Sequence, residues 1–80
     1  MARILLVDDE PEIVVLTKII LEKEGHKVRV AKNSTNCFEK LKVETPDLII
    51  LDVMMPGDNG WTVCKKIKED KKTQDIPVAM

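Results

Sequence analysis

Short aliphatic runs alternate with longer amphipathic segments along the chain. The aliphatic runs predict four β-strands, at Arg3–Val7, Lys27–Ala31, Leu48–Leu51 and residues 76–80. The first and third runs have almost no polar positions, which is typical of strands covered on both faces of a parallel sheet. The second run alternates with period two, so we expect it at an edge of the sheet with one wetter face.

The segments between these runs carry apolar residues at helical spacing. They predict a helix over residues 11–24, a helix that starts from Ser34 as its N-cap and ends before Thr45, and a helix around Trp61 that ends in the charged run 68–72. Strands that alternate with helices through short loops indicate a parallel sheet with right-handed crossovers. The predicted fold class is therefore α/β, in a single domain over residues 1–80.

Composition narrows the class of protein. With 80 residues the chain forms at most one domain, and its 13 basic and 14 acidic side chains nearly balance, which gives no indication of nucleic-acid binding. No apolar run reaches the roughly 18 to 20 residues of a membrane span, and we expect a cytoplasmic protein. Cys37 and Cys64 lack a metal-binding spacing and are expected to be free thiols on helices. His26 is expected to be a turn residue without a role in the chemistry.

Acidic residues stand where the first and third strands end. Asp8 and Asp9 follow the first strand, whereas Asp52 follows the third and precedes a loop that contains Pro56 and Gly57. In open parallel sheets the ligand site lies beyond the carboxyl ends of the strands. If these two strands are neighbours, about 4.8 Å apart, the three carboxylates share one pocket.

Three like charges in one pocket need a compensating cation or raised pKa values. Two unit charges about 4 Å apart repel by roughly 4 kcal/mol at an effective dielectric near 20. All the candidate ligands are oxygen atoms, which favours Mg²⁺, an ion that keeps several waters and leaves positions for phosphate oxygens. A carboxylate beside such an ion can attack a phosphoryl group and form an aspartyl phosphate. Single aspartates at strand ends are often only turn formers, but this combination of acids is more specific and favours a site.

Three stretches of the sequence resemble the receiver domain of two-component response regulators. They are Leu-Leu-Val-Asp-Asp-Glu-Pro at residues 5–11, Pro-Asp-Leu-Ile-Ile-Leu-Asp-Val-Met-Met-Pro-Gly at residues 46–57, and Gly60. The resemblance covers the whole chain. It implies a flavodoxin-like receiver fold, a parallel-sheet three-layer sandwich with strand order 2-1-3-4-5. The chain would hold the amino-terminal portion of that fold, through the start of the fourth strand.

The same resemblance implies a role for each acid. Asp52 would accept a phosphoryl group from a sensor histidine kinase, and Asp9 and Asp52 would contact Mg²⁺ directly. Asp8 would act mainly through a bound water, and the main-chain carbonyl of Met54 would complete the protein ligands. We therefore expect a signalling phosphoacceptor and not an enzyme. Its expected partners are the kinase and an output domain or downstream protein, with no direct contact between this segment and nucleic acid or membrane.

The sequence also departs from the family pattern. Asn59 places a neutral amide where an acid usually stands, and the Ser or Thr and the Lys that family members carry farther along are absent. A phosphorylation-independent interaction module is therefore an alternative, and the three aspartates argue against it. A Mg²⁺-dependent phosphatase is a third hypothesis with little support, because Val53 and Met54 follow Asp52 where a second acid would be needed.

The first predicted helix is apolar nearly all round. Its large aliphatic side chains are Ile13, Val14, Val15, Leu16, Ile19, Ile20 and Leu21. Contact with one sheet cannot bury all of them, so the helix needs partners on two sides. We expect either a longer parent polypeptide or a homo-oligomer to cover the second side.

Overall fold

The computed structural model describes residues 1–52 and 59–80. The elements in chain order are β1 (Arg3–Val7), α1 (Pro11–Lys23), β2 (Lys27–Ala31), α2 (Ser34–Val43), β3 (Leu48–Leu51), α3 (Gly60–Glu69) and β4 (Val78–Ala79). The predicted bounds of the first three strands are confirmed to the residue. β4 is shorter than predicted, because Pro77 has no N–H to donate and the Ile76 N–H donates instead to the Thr73 carbonyl at 3.0 Å.

The strands form a sheet with the order β2-β1-β3-β4. β1 pairs in parallel with both β2 and β3, in a register that places Val7 beside Ala31 on one side and beside Leu51 on the other. β2 therefore lies at an edge, as its alternating pattern predicted. The first and third strands are neighbours, and their carboxyl ends lie side by side.

Helices cover both faces of the sheet and complete a three-layer sandwich. Alternate residues of a strand point to opposite faces of the sheet. Leu5 and Val7 of β1 therefore belong to one core cluster, whereas Ile4 and Leu6 belong to the other. The first cluster includes Cys37 of α2 with Val63 and Ile67 of α3, and Val14 and Leu21 of α1 pack against the second. Each aliphatic side chain buried in this way stabilises the fold by roughly 1.5 to 3 kcal/mol.

Asparagine side chains cap the amino termini of α2 and α3. At the start of α2, Oδ1 of Asn33 accepts the Asn36 N–H at 2.8 Å. The prediction of Ser34 as the N-cap was wrong, because Asn33 supplies the capping oxygen one residue earlier and Ser34 is the first helical residue. At the start of α3, Oδ1 of Asn59 accepts the Trp61 N–H at 2.9 Å. The neutral amide at Asn59 therefore has a structural role.

The turn after α1 fixes the amino-terminal segment. The helix ends at Lys23, one residue earlier than predicted, and Gly25 takes a φ of 89°, which side chains disfavour. His26 then accepts the Ala2 N–H on its Nδ1 at 3.0 Å. His26 thus has a structural role that the sequence did not indicate.

One side of α1 is apolar and faces solvent. Between 45% and 58% of the residue surface is exposed in Ile13, Val15, Leu16, Ile19 and Ile20, which together we call the α1 apolar face. As the pattern predicted, the sheet covers only one side of this helix. Within residues 1–52 and 59–80, none of the helices has the length and apolar character needed to cross a membrane.

The two cysteines are free thiols, as predicted, and they differ in burial. Cys37 is buried in the core, which raises the pKa of its thiol to about 11, whereas Cys64 is partly exposed.

Because the thiolate is the reactive form, we expect an aromatic disulfide reagent at mildly alkaline pH to modify Cys64 promptly and Cys37 only as the protein unfolds. Absorbance of the released thiol measures both rates, and Cys64→Ser should remove the fast phase. Two equally fast phases in the folded protein would contradict this expectation.

Candidate functional site

The sheet sets the positions of the acidic residues. Because Val7 pairs with Leu51, the residues that follow them, Asp8 and Asp52, lie next to each other at the carboxyl edge. The Asp52 N–H donates to the Val7 carbonyl at 2.9 Å, and the Asp8 N–H donates to the Ala31 carbonyl at 3.0 Å. Sheet hydrogen bonding therefore continues one residue beyond each strand and holds the backbone of the site.

The side chains of Asp8, Asp9 and Asp52 converge, and we call them the acidic cluster. One carboxylate oxygen from each residue lies within 4.8 Å of those from the other two. Asp8 is buried, with 8% of its surface exposed, while Asp9 and Asp52 are partly exposed. The structure thus brings together the three acids that the strand pattern singled out, and their individual roles stay a prediction. Met54, the fourth predicted ligand, lies outside the described residues, as do Pro56 and Gly57.

Three carboxylates at this spacing repel one another. Two unit charges 4.8 Å apart cost roughly 3 to 4 kcal/mol at an effective dielectric near 20. A dication between them would replace this repulsion by attraction. The acidic cluster is therefore a favourable place for a cation.

Hydrogen bonding leaves acceptor capacity within the acidic cluster. Oδ1 of Asp8 accepts the Glu10 N–H at 3.0 Å, which orients that carboxylate. Oδ1 of Asp9 is buried, and no hydrogen-bond donor of the described residues reaches it. A buried acceptor without a partner costs about 1 to 3 kcal/mol, and a metal ion would supply that partner. Because all the ligand atoms are oxygens, the residues present fit Mg²⁺, the ion that the family resemblance implies.

A cavity of about 300 Å³ opens beside Asp8 and Asp9, between the start of α1 and the end of β2. The rest of its lining is Pro11, Val14, Val15, Val30 and Lys32. Lys32 was not among the predicted site residues, although it directly follows a strand that ends at the same edge of the sheet. The cavity thus places Lys32 and apolar walls beside two members of the acidic cluster, Asp8 and Asp9.

The similarity to known proteins agrees with this arrangement. A sequence model of the response regulator receiver domain matches residues 4–80. The chain is 44% identical to the DNA-binding dual master transcriptional regulator RpaA of Synechocystis sp., an alignment that covers all of the chain and 33% of RpaA. The N-terminal domain of a response regulator receiver protein from Methanoculleus marisnigri JR1 is 41% identical, with a TM-score of 0.93 over 98% of this chain and 63% of that one.

A further solved structure contains the histidine kinase ThkA in complex with the response regulator TrrA. Its matching chain is 40% identical, with a TM-score of 0.87 over 98% of this chain and 66% of that one. The chain thus spans between about a third and two thirds of these relatives' lengths. The similarities and the strand order confirm the flavodoxin-like receiver fold. The chain belongs to the response regulator receiver domain family.

Proposed function

We propose that this chain is a Mg²⁺-dependent phosphoacceptor of a two-component signalling system, in which Asp52 takes a phosphoryl group from a sensor histidine kinase. The observation that carries the proposal is the convergence of Asp8, Asp9 and Asp52 where β1 and β3 end. The ThkA–TrrA complex adds support, because it pairs a histidine kinase with a relative of this chain.

In this proposal the three aspartates have different roles. Asp9 and Asp52 would hold Mg²⁺ directly, together with the main-chain carbonyl of Met54. Asp8 would hold the ion through a water, while the Glu10 N–H keeps its carboxylate oriented. When bound, the ion neutralises charge on Asp52 and on the phosphoryl oxygens.

The transfer itself requires a nucleophile that is both fixed and accessible. A carboxylate oxygen of Asp52 attacks the phosphorus of a phosphohistidine; the O–P bond forms as the P–N bond breaks. The electron pair of the broken bond stays on the imidazole nitrogen, which takes a proton from solvent, and an acyl phosphate remains on Asp52. Asp52 suits this role because its N–H is held by the Val7 carbonyl while its side chain is partly exposed.

We further propose that the chain works as a signalling module in the cytoplasm and not as an enzyme. One phosphoryl group is accepted by each chain, and an output domain or a downstream protein reads that state. The similarity to RpaA, a DNA-binding regulator, supports an output of this kind.

Treatment with acetyl phosphate tests the proposal. The parent chain should gain the mass of one phosphoryl group when Mg²⁺ is present, and a chelator should prevent the gain. Asp52→Asn should gain none, because an amide is not a nucleophile for this reaction. Intact-protein mass spectrometry makes the measurement, and labelling that persists in Asp52→Asn would contradict Asp52 as the acceptor.

A phosphorylation-independent interaction module is the second candidate function. The α1 apolar face favours it, because large exposed apolar patches mark interaction sites. This candidate predicts no Mg²⁺-dependent labelling after long exposure to acetyl phosphate, so the same measurement separates the two functions.

A further inference from the structure

The edge of the sheet that carries the acidic cluster also carries a basic residue, Lys32. Ala31 is the last residue of β2, and its carbonyl accepts the Asp8 N–H at 3.0 Å. The next residue, Lys32, lines the same cavity of about 300 Å³ as Asp8 and Asp9. The Lys32 N–H donates to Oδ1 of Asn36 at 3.3 Å, so the start of α2 helps to fix where this side chain leaves the backbone.

We propose that Lys32 is a binding residue for the incoming phosphodonor: its ammonium attracts the phosphoryl oxygens into the cavity beside the acidic cluster. This inference rests on the proposed function. A phosphoryl donor is an anion, and the three carboxylates that attract a cation also repel the donor. A positive charge on the cavity wall offsets part of that repulsion.

The shape and lining of the cavity strengthen the effect of this charge. Val14 and Val15 of α1 and Val30 of β2 supply apolar walls. Clefts with walls of low dielectric focus the field of the charges that line them and raise the local concentration of an oppositely charged ligand. The ammonium sits on a flexible four-carbon stem, which lets it follow a donor that enters the cavity.

The proposal predicts two effects of opposite sign. A lysine that attracts the anionic donor also repels Mg²⁺, since the two ligands differ in the sign of their charge. Loss of the Lys32 charge should therefore slow phosphorylation and tighten Mg²⁺ binding. A variant with a damaged fold would be phosphorylated more slowly and would also bind Mg²⁺ more weakly. The direction of the change in Mg²⁺ affinity therefore separates an electrostatic role of Lys32 from a structural one.

Three variants of the chain make the test. Lys32→Gln removes the charge, Lys32→Arg keeps it, and Lys27→Gln removes an equal charge from an exposed lysine at the opposite end of β2. Intact-mass measurements of acetyl phosphate labelling at saturating Mg²⁺ give the phosphorylation rate, and calorimetric titration with Mg²⁺ gives the affinity. We expect Lys32→Gln to label roughly threefold to tenfold more slowly and to bind Mg²⁺ more tightly by a similar factor. Lys32→Arg and Lys27→Gln should stay within about twofold of the parent chain.

The outcomes distinguish this inference from the proposed function. Equal rates and affinities in Lys32→Gln and Lys27→Gln would overturn the role of Lys32, while continued labelling of Asp52 would leave the phosphoacceptor function standing. Weaker Mg²⁺ binding in Lys32→Gln would likewise overturn it. A parent chain that is not labelled at all would overturn both.

Discussion

Replacement of Asp9 by asparagine should weaken Mg²⁺ binding by more than about tenfold, because it removes one full charge beside a dication. Asp9 contributes one of the three oxygens that lie within 4.8 Å of one another. The same change should raise the stability of the metal-free protein, since it relieves the repulsion from Asp8 and Asp52. It also replaces a carboxylate whose buried Oδ1 accepts no hydrogen bond from the described residues. Asp9→Asn should therefore weaken Mg²⁺ binding and at the same time stabilise the metal-free protein.

Fluorescence of Trp61 and thermal unfolding measure these two effects. Trp61 lies in the first turn of α3, 65% exposed, nine positions after Asp52, and we expect Mg²⁺ to quench or shift its emission. Glu12→Gln is the matched control, because it removes an equal charge from an exposed acid in the first turn of α1. An Asp9→Asn protein that titrates like the parent chain would show that the metal site is wrongly placed.

The purified chain should self-associate at micromolar concentration through the α1 apolar face. The five side chains of this face are about half exposed, and covering the remaining half would contribute roughly 1 kcal/mol for each. The sum approaches the whole stability of a small domain.

Sedimentation equilibrium tests this prediction directly. The double variant Leu16→Lys/Ile20→Lys places two charges one helical turn apart on the face and should shift the protein toward the monomer. Val43→Lys is the control, because Val43 is 77% exposed at the end of α2 and lies outside the α1 apolar face. A cooperative, well-folded monomer for the parent chain at the same concentration would contradict the prediction.

β1 and β3 were predictable from sequence because a strand buried on both faces consists almost entirely of aliphatic residues. β1 and β3 are continuous aliphatic runs, and their bounds followed directly from where those runs stop. The convergence of the acids followed from the same fact, since neighbouring parallel strands end at one edge. The resemblance then supplied the strand order that the runs alone did not specify.

Other features depended on interactions that a pattern of apolar and polar residues does not record. Ser34 and Asn33 are both good N-caps, and only the hydrogen bond to Asn36 decides between them. No sequence pattern marks Lys32, because it is one of many exposed lysines, and only the folded structure places it in a cavity with Asp8 and Asp9. The role of Met54 stays a prediction, because that residue lies outside the described part of the chain.

Reduction of the labelled protein by borohydride shows whether Asp52 carries the phosphoryl group. Borohydride converts an acyl phosphate on aspartate to homoserine and leaves free carboxylates intact. Peptide mass spectrometry of chain treated with acetyl phosphate and Mg²⁺ should then find homoserine at position 52, with Asp8 and Asp9 unchanged. Homoserine at either of those two positions, or at none after long exposure, would show that Asp52 is not the phosphoacceptor.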